Sequence, residues 1–447
     1  MFENLSLYVH LPFCIKKCPY CDFNSHSLQN FLPLFNNKNN NNDELQQLYI
    51  KNLLNDFEQN FVRNERLNFR KINTIFFGGG TPNIFSTRNI EFFLNSIQKY
   101  FANDDNIEIT LECNPGAVDN DKNYKNYKNY KNYKNYKNNS IFKQWKSIGI
   151  NRISLGVQSF NDLQLQQLGR IHNAKDAIYT LENIVKYFDN FNIDLMLALP
   201  LQNLQNAISD IKTALSFNPP HLSCYRLTIE ENTYFGKYPP PLPNEDLCID
   251  IENSIKQILV NDFKYNNYEI SAYSLKDNWQ CKHNLNYWKF GDYLGIGAGA
   301  HSKLTFTDNN NNYNNNYNNN YIIQREVRYK NPKKYLTTND NVNDNVNDND
   351  YIENRYTITE IDDLILEFLM NYCRLNIAFS TSEMQQKIGI KNLFATQSYQ
   401  KFLQNLNIAN NKNFITIHNI NNDKNNLKIQ MTNHGRLFLN QFLNIFV

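Results

Sequence analysis

Six short apolar, β-prone runs, at residues 5–11, 72–77, 107–111, 152–157, 193–199 and 222–229, alternate with segments of helical character at 43–62, 87–101, 140–147, 174–188 and 204–217. Strands separated by helices pair in parallel through right-handed crossovers. Residues 1–235 are therefore expected to form an incomplete (β/α)6 barrel. Polar residues mark the carboxyl ends of these runs. A cysteine-rich loop follows the first, Gly78-Gly79-Gly80-Thr81-Pro82 the second, Glu112 the third and Gln158 the fourth, and Asp194 lies within the fifth. Strand carboxyl ends carry the active site in barrels of this kind. One polar residue there can be a strand cap, but recurrence strand after strand points to a shared site.

The loop after the first run reads Cys14-Ile-Lys-Lys-Cys18-Pro-Tyr-Cys21. Three thiolates on a short loop can hold three irons of a 4Fe-4S cubane and leave the fourth iron without a protein ligand. An open iron can chelate the amino and carboxylate groups of S-adenosylmethionine (SAM). Zinc is the competing reading; a closed tetrahedral site needs a fourth ligand, which His10 or His26 could supply. Glycines after the second strand allow close backbone approach to a ligand, and carbonyls there suit the SAM ammonium.

At 447 residues the chain can bury a full core without disulfides. Lys+Arg 45 against Asp+Glu 43 gives a net charge of +2, so no global field draws it to nucleic acid or an anionic membrane. The amino terminus has an acid where a signal peptide wants bases, and no apolar run reaches a bilayer-spanning length. A cytoplasmic location is expected. The other five cysteines, Cys113, Cys224, Cys248, Cys281 and Cys373, are scattered singly, as buried thiols in a reducing compartment would be. Polar repeats at 123–137, 309–320 and 339–350 have no face to bury and read as disordered surface insertions. The expected division is a barrel at 1–235 with an insertion at 119–139, a barrel-completing segment at 236–308, insertions at 309–350, and a carboxyl-terminal domain at 351–447. In that domain, helices at 381–389 and 398–406, a hairpin at 414–417 and 427–431, and a final helix at 435–446 predict a small winged-helix-like α+β unit. Its second helix carries one Lys, too few cations for DNA binding.

Tyr8 ahead of the CxxxCxxC loop, GGGTP, Glu112 in LECNPG, GVQSF at 156–160, LGRIH at 168–172 and DLMLALP at 194–200 resemble the oxygen-independent coproporphyrinogen oxidase family of radical SAM proteins. The resemblance covers nearly the whole chain outside the polar repeats. It implies a radical SAM barrel in which Tyr8, Gly79 and Glu112 contact SAM on the cluster, and Tyr20, Gly80, Thr81, Gln158, Arg170 and Asp194 line a second SAM position. CPYCDFNSH, PPHLSCYRLTIE, QCKHNLNYWKFGDYLGIGAGAH and HGRLFLN are similar to the HemW-type heme chaperone branch. The oxidase branch has a further cysteine soon after the third and a longer arm before the tyrosine; here Asp22-Phe23-Asn24-Ser25-His26 follows Cys21 and seven residues precede Tyr8. Ala298 and Ser302 depart from the branch pattern, where Cys and Gly are usual. The chaperone resemblance implies heme as cargo, heme-accepting proteins and an electron donor as partners, transient contact with membrane proteins, and His283 and Tyr287 as heme-binding residues. A His among Tyr287, Trp288 and Phe290 can ligate iron, and it can equally be an ordinary core histidine. The alternative activity is radical decarboxylation of coproporphyrinogen III propionates.

Overall fold

The structure, a computed structural model, describes residues 4–31, 42–102, 107–118, 140–307, 321–338, 351–420 and 423–447, and for 423–425 the backbone alone. The three polar repeats lie outside them. All six apolar runs are strands: β1 (Asn4–Leu11), β2 (Lys71–Gly79), β3 (Glu108–Cys113), β4 (Arg152–Gln158), β5 (Phe191–Leu197) and β6 (His221–Arg226). They pair in parallel in that order. Most residues of β1, β2 and β4 are buried on both faces, as parallel strands covered by helices must be. The helices between them carry their own start signals. Asn173 with Asp176, and Asn203 with Asn206, form reciprocal caps at the starts of Ala174–Tyr187 and Leu204–Leu215.

The sheet extends beyond these six. β7 (Asn266–Asn267) and β8 (Ala272–Ser274) add to the β6 edge, with β8 antiparallel to β6. On the other side β9 (Tyr293–Ile296) lies parallel to β1, followed by antiparallel β10 (His301–Thr307), β11 (Tyr321–Arg328) and β12 (Ile352–Ile358). Among the described residues the sheet has twelve strands. The sequence division at 309–350 and 351 is corrected accordingly. Residues 321–328 and the helix Pro332–Thr337 belong to the large sheet domain, as does β12, because Arg328 and Tyr335 both bond Asp56 of the helix Asn42–Phe57.

A second buried cluster starts with the helix Ile361–Tyr372, and Phe290 and Ile323 of the large domain reach into it. It contains the helices Thr381–Ile388 and Gln397–Asn411 and a sheet of β13 (Phe379–Ser380), β14 (Ile415–Ile420) and β15 (Asp423–Met431), an arrangement of the winged-helix kind. The expected final helix is two short ones, Asn433–Leu437 and Leu439–Leu443, interrupted where Phe438 leaves helical geometry. Among the described residues no helix is long and apolar enough to cross a membrane.

Candidate functional site

The cysteine loop grows out of β1 and is closed by a short parallel ladder between Phe13–Cys14 and His26–Ser27. Cys14 is buried, Cys18 and Cys21 are partly exposed, and none is in a disulfide. The Cys21 thiol and the Ser25 hydroxyl are 3.5 Å apart, and Arg170 Nη1 donates to Cys18 Sγ at 3.5 Å. Burial pushes the Cys14 and Cys21 thiols above their ordinary values, although bonds to Thr81 and Ser25 oppose it at Cys14. Among the described residues no three His, Cys, Asp or Glu side chains are gathered closely enough for a single metal ion. The histidines that could have completed a zinc site are engaged elsewhere. His10 donates through Nε2 to the Asn24 carbonyl, leaving Nδ1 to accept from the Tyr8 hydroxyl, and His26 Nε2 bonds Asn24 Oδ1.

Tyr8, Gly79 and Glu112 stand side by side on β1, β2 and β3. Gly79 N–H donates to Glu112 Oε2 at 3.1 Å. Gly79 has φ +112°, and a Cβ there would lie 2.6 Å from the His10 ring, so glycine is required on both counts. Burial, reinforced by the nearby charge of Asp194, pushes the Glu112 carboxyl up to about 7. The Tyr8 hydroxyl stays neutral because burial, and then Glu112, raise it.

The residues expected to line a second ligand position fall into three groups. Gly80 and Thr81 are turned to the cysteine loop, where their N–H groups donate to the Leu11 and Phe13 carbonyls at 2.8 and 2.9 Å. Tyr20 and Arg170 gather beside Cys18, and Gln158 stands at the end of β4. Arg170 donates to the Gly156 carbonyl at 2.9 Å and toward the Tyr20 hydroxyl at 3.4 Å, while its buried Nε has no partner. Gln158, at φ +70°, accepts from the Tyr225 hydroxyl at 3.0 Å. Asp194 pairs across the sheet with Gly156 and is held by Asn192 at 2.7 Å and Ser154 at 3.2 Å, its carboxyl raised by burial. Tyr225 was missed in the sequence, although alternation along β6 places it on the same face as Ser223, which bonds Asn192.

His283 stands in the buried setting that the sequence left open beside heme ligation. It lies in the helix Lys282–Trp288, whose first N–H groups donate to Glu108 of β3, and it is 1% exposed. Thr74 donates to Ser6, so His283 Nδ1 donates to Thr74 at 2.9 Å, and Nε2 accepts from Tyr287 at 3.1 Å. Burial and then Arg152 lower its ring to about 3. Both nitrogens are therefore used within the protein, the position of a satisfied core histidine under Tyr8 and Phe76.

A three-cysteine loop at the mouth of a parallel βα sheet, flanked by strand-end carboxylates and a buried arginine, defines a radical SAM protein, and residues 8–214 match the family model of the Radical SAM superfamily. Over 446 residues the chain is 40% identical to the heme chaperone HemW of Haemophilus influenzae, covering 99% of this chain and 98% of that one. It is 35% identical over 445 residues to the HemW of Escherichia coli, with coverage of 99% and 98%. Among solved structures, the coproporphyrinogen III oxidase HemN of Escherichia coli shares the fold, with a TM-score of 0.69 at 20% identity over 99% of this chain and 90% of that one. The chain belongs to the HemW family of radical SAM proteins.

Proposed function

We propose that this chain is a heme chaperone, which binds heme and passes it to acceptor proteins while holding a 4Fe-4S cluster and SAM. The observation that carries the reading is end-to-end identity of 35–40% with proteins named heme chaperones. The residues fit the cluster by chemistry: the Cys14 and Cys21 thiols, which burial makes costly to ionise, would be relieved by bonding to iron, and Arg170 beside Cys18 would offset the negative charge of a thiolate cluster. When bound, such a cluster supplies one electron and an open iron coordination site.

The protein's own groups then act by position. Cys14, Cys18 and Cys21 would hold the cluster. Glu112, tethered by Gly79 N–H, would offer its other oxygen to hydroxyl groups of a nucleoside, beside Tyr8, whose hydroxyl is fixed by His10. Arg170 and Tyr20 offer a cation and a hydroxyl to a second carboxylate ligand, for which the unpartnered Arg170 Nε is available. Asp194 and Gln158 line the same side. We place the protein in the cytoplasm, with an electron donor for the cluster and respiratory hemoproteins as acceptors. The near-neutral charge argues against nucleic acid as a partner.

The test is transfer. Heme-loaded protein is mixed anaerobically with an apo-hemoprotein, and the acceptor's heme spectrum is followed. Appearance of that spectrum faster than from free hemin supports the reading, whereas absence of heme binding removes it.

A further inference from the structure

Between β6 and the helix Glu245–Gln257 the chain makes a long excursion, 227–244, whose two ends are clasped together. Arg226, the last residue of β6, donates to the two carboxylate oxygens of Glu245 at 2.8 and 2.6 Å. Leu227 N–H donates to the Leu197 carbonyl at 3.0 Å. Midway, Thr233 caps the short helix Tyr234–Lys237, and this helix rests on the cysteine loop. Phe235 N–H donates to the Pro19 carbonyl at 3.0 Å, and its buried ring stands 6.4 Å from the ring of Tyr20. Pro19 also abuts Gly169, where φ is +67° and a Cβ would lie 2.7 Å from Pro19 Cδ, so glycine is required there. The excursion, the turn from Cys18 to Cys21 and the segment Leu168-Gly169-Arg170 thus meet at one point.

We propose that residues 227–244 are a strap that closes the second ligand position and must lift for the carboxylate ligand to enter or leave; this rests on the reading above in which Arg170 and Tyr20 bind that ligand. The strap's contacts are its own. Phe235 and Leu227 pack with Leu168, Met196 and Leu199 in a small buried cluster, bordered by Tyr20 and Tyr225, that is separate from both larger cores. Lifting the strap therefore opens neither large core, which is what a local transition of low cost requires. Its outer side faces water, with Tyr234 61% and Tyr238 65% exposed. Pro239, Pro240, Pro241 and Pro243 stiffen the returning arm, so the segment swings as a flap. Beneath it, Arg170 Nε is buried without a partner, and the same guanidinium donates toward the Tyr20 hydroxyl, on whose ring Phe235 packs. A carboxylate that reaches this nitrogen has to displace a neighbour. The cysteine loop is held by its own ladder and β4 by the sheet, which leaves the strap as the piece that moves. The Arg226–Glu245 pair is exposed, so water and salt weaken it, as suits a clasp that opens.

The experiment follows release of radiolabelled SAM from anaerobically cluster-loaded full-length protein after a chase with unlabelled SAM. Phe235→Ala is expected to speed release of one of the two SAM molecules about tenfold and to leave the other unchanged. Glu245→Gln, on the surface and harmless to folding, is expected to speed the same phase by a smaller factor. In the wild type that phase should also quicken with added salt as the clasp is screened, and Glu245→Gln should lose this salt response. Trypsin gives an independent readout of the strap, because Lys237 is exposed on it; bound SAM is expected to slow cleavage after Lys237. Two SAM molecules per chain with release unchanged in both variants, or cleavage after Lys237 indifferent to SAM, would overturn the gate and leave the second ligand position standing. A single SAM per wild-type chain would remove that position and the gate with it, a result distinct from either.

Discussion

Arg170 Nη1 lies 3.5 Å from Cys18 Sγ while its Nη2 is bonded to the Gly156 carbonyl, so one guanidinium ties the carboxyl end of β4 to the cysteine loop. The planar fork is what permits both contacts at once, and lysine cannot copy it. Arg170→Ala is expected to keep cluster reconstitution, because the three thiols remain, yet to bind one SAM fewer per chain by equilibrium dialysis. Arg170→Lys should fall between. Unchanged SAM stoichiometry in both variants would show that the arginine is only a brace.

Glu112 makes stability depend on pH in a predictable direction. Its carboxyl ionises at about 7 when folded against 4.5 in an unfolded chain, so the folded protein holds a proton that the unfolded one releases. Stability from this group is full below 4.5 and is lost as pH rises through about 7, a difference of about 3 kcal/mol. In the cluster-free protein Glu112→Gln should remove that slope and be the more stable form at pH 8. Urea midpoints measured for both proteins at pH 4.5 and 8 provide the check; parallel slopes would contradict it.

The buried Asp292 carboxylate bridges Arg70 at 2.9 Å and Lys303 at 3.0 Å and accepts from Thr305 N–H and Oγ1, both at 2.7 Å. Burial alone would raise it, but Lys303 and Arg70 outweigh that and hold it at about 2. Its contribution is present above the unfolded value of 3.8 and lost as pH falls toward 2. Asp292→Asn leaves two buried cations without their counter-charge and should cost about 3–5 kcal/mol by denaturant unfolding. A loss below 1 kcal/mol would mean that water reaches the site.

Replacing Cys14, Cys18 or Cys21 by Ala should abolish reconstitution of a SAM-responsive cluster. Cys113 and Cys224 lie in the main core and Cys373 in the second one, so Ala at those positions should leave iron content unchanged. Iron and sulfide analysis after anaerobic reconstitution decides between the two sets.

The barrel strands were legible because each is a short apolar run with a polar end, and the cysteine loop because three closely spaced thiols point to a metal centre, with zinc left as the competing reading. Strands β10 to β12 were not, since Asn- and Tyr-rich tracts separate them and no local period spans such gaps. The environment of His283 was equally invisible. Its partner Thr74 lies 209 residues away, and the bond that occupies Nδ1 is made only when the helix Lys282–Trp288 packs on β2. The clamp in which Arg328 and Tyr335 meet Asp56 is non-local in the same way, 272 and 279 residues apart. Tyr8, Gly79 and Glu112, by contrast, were named from sequence, and adjacent parallel strands bring Glu112 within reach of both the Gly79 N–H and Tyr8.

The central claim is that a radical SAM barrel here serves heme delivery rather than porphyrinogen oxidation. The most direct measurement incubates the cluster-loaded protein anaerobically with coproporphyrinogen III, SAM and a reductant, and quantifies the tetrapyrroles by chromatography. The account predicts recovered coproporphyrinogen with no protoporphyrinogen, from the same preparation that binds hemin. Stoichiometric loss of propionate carboxyls as carbon dioxide would contradict it and make the protein a decarboxylating oxidase.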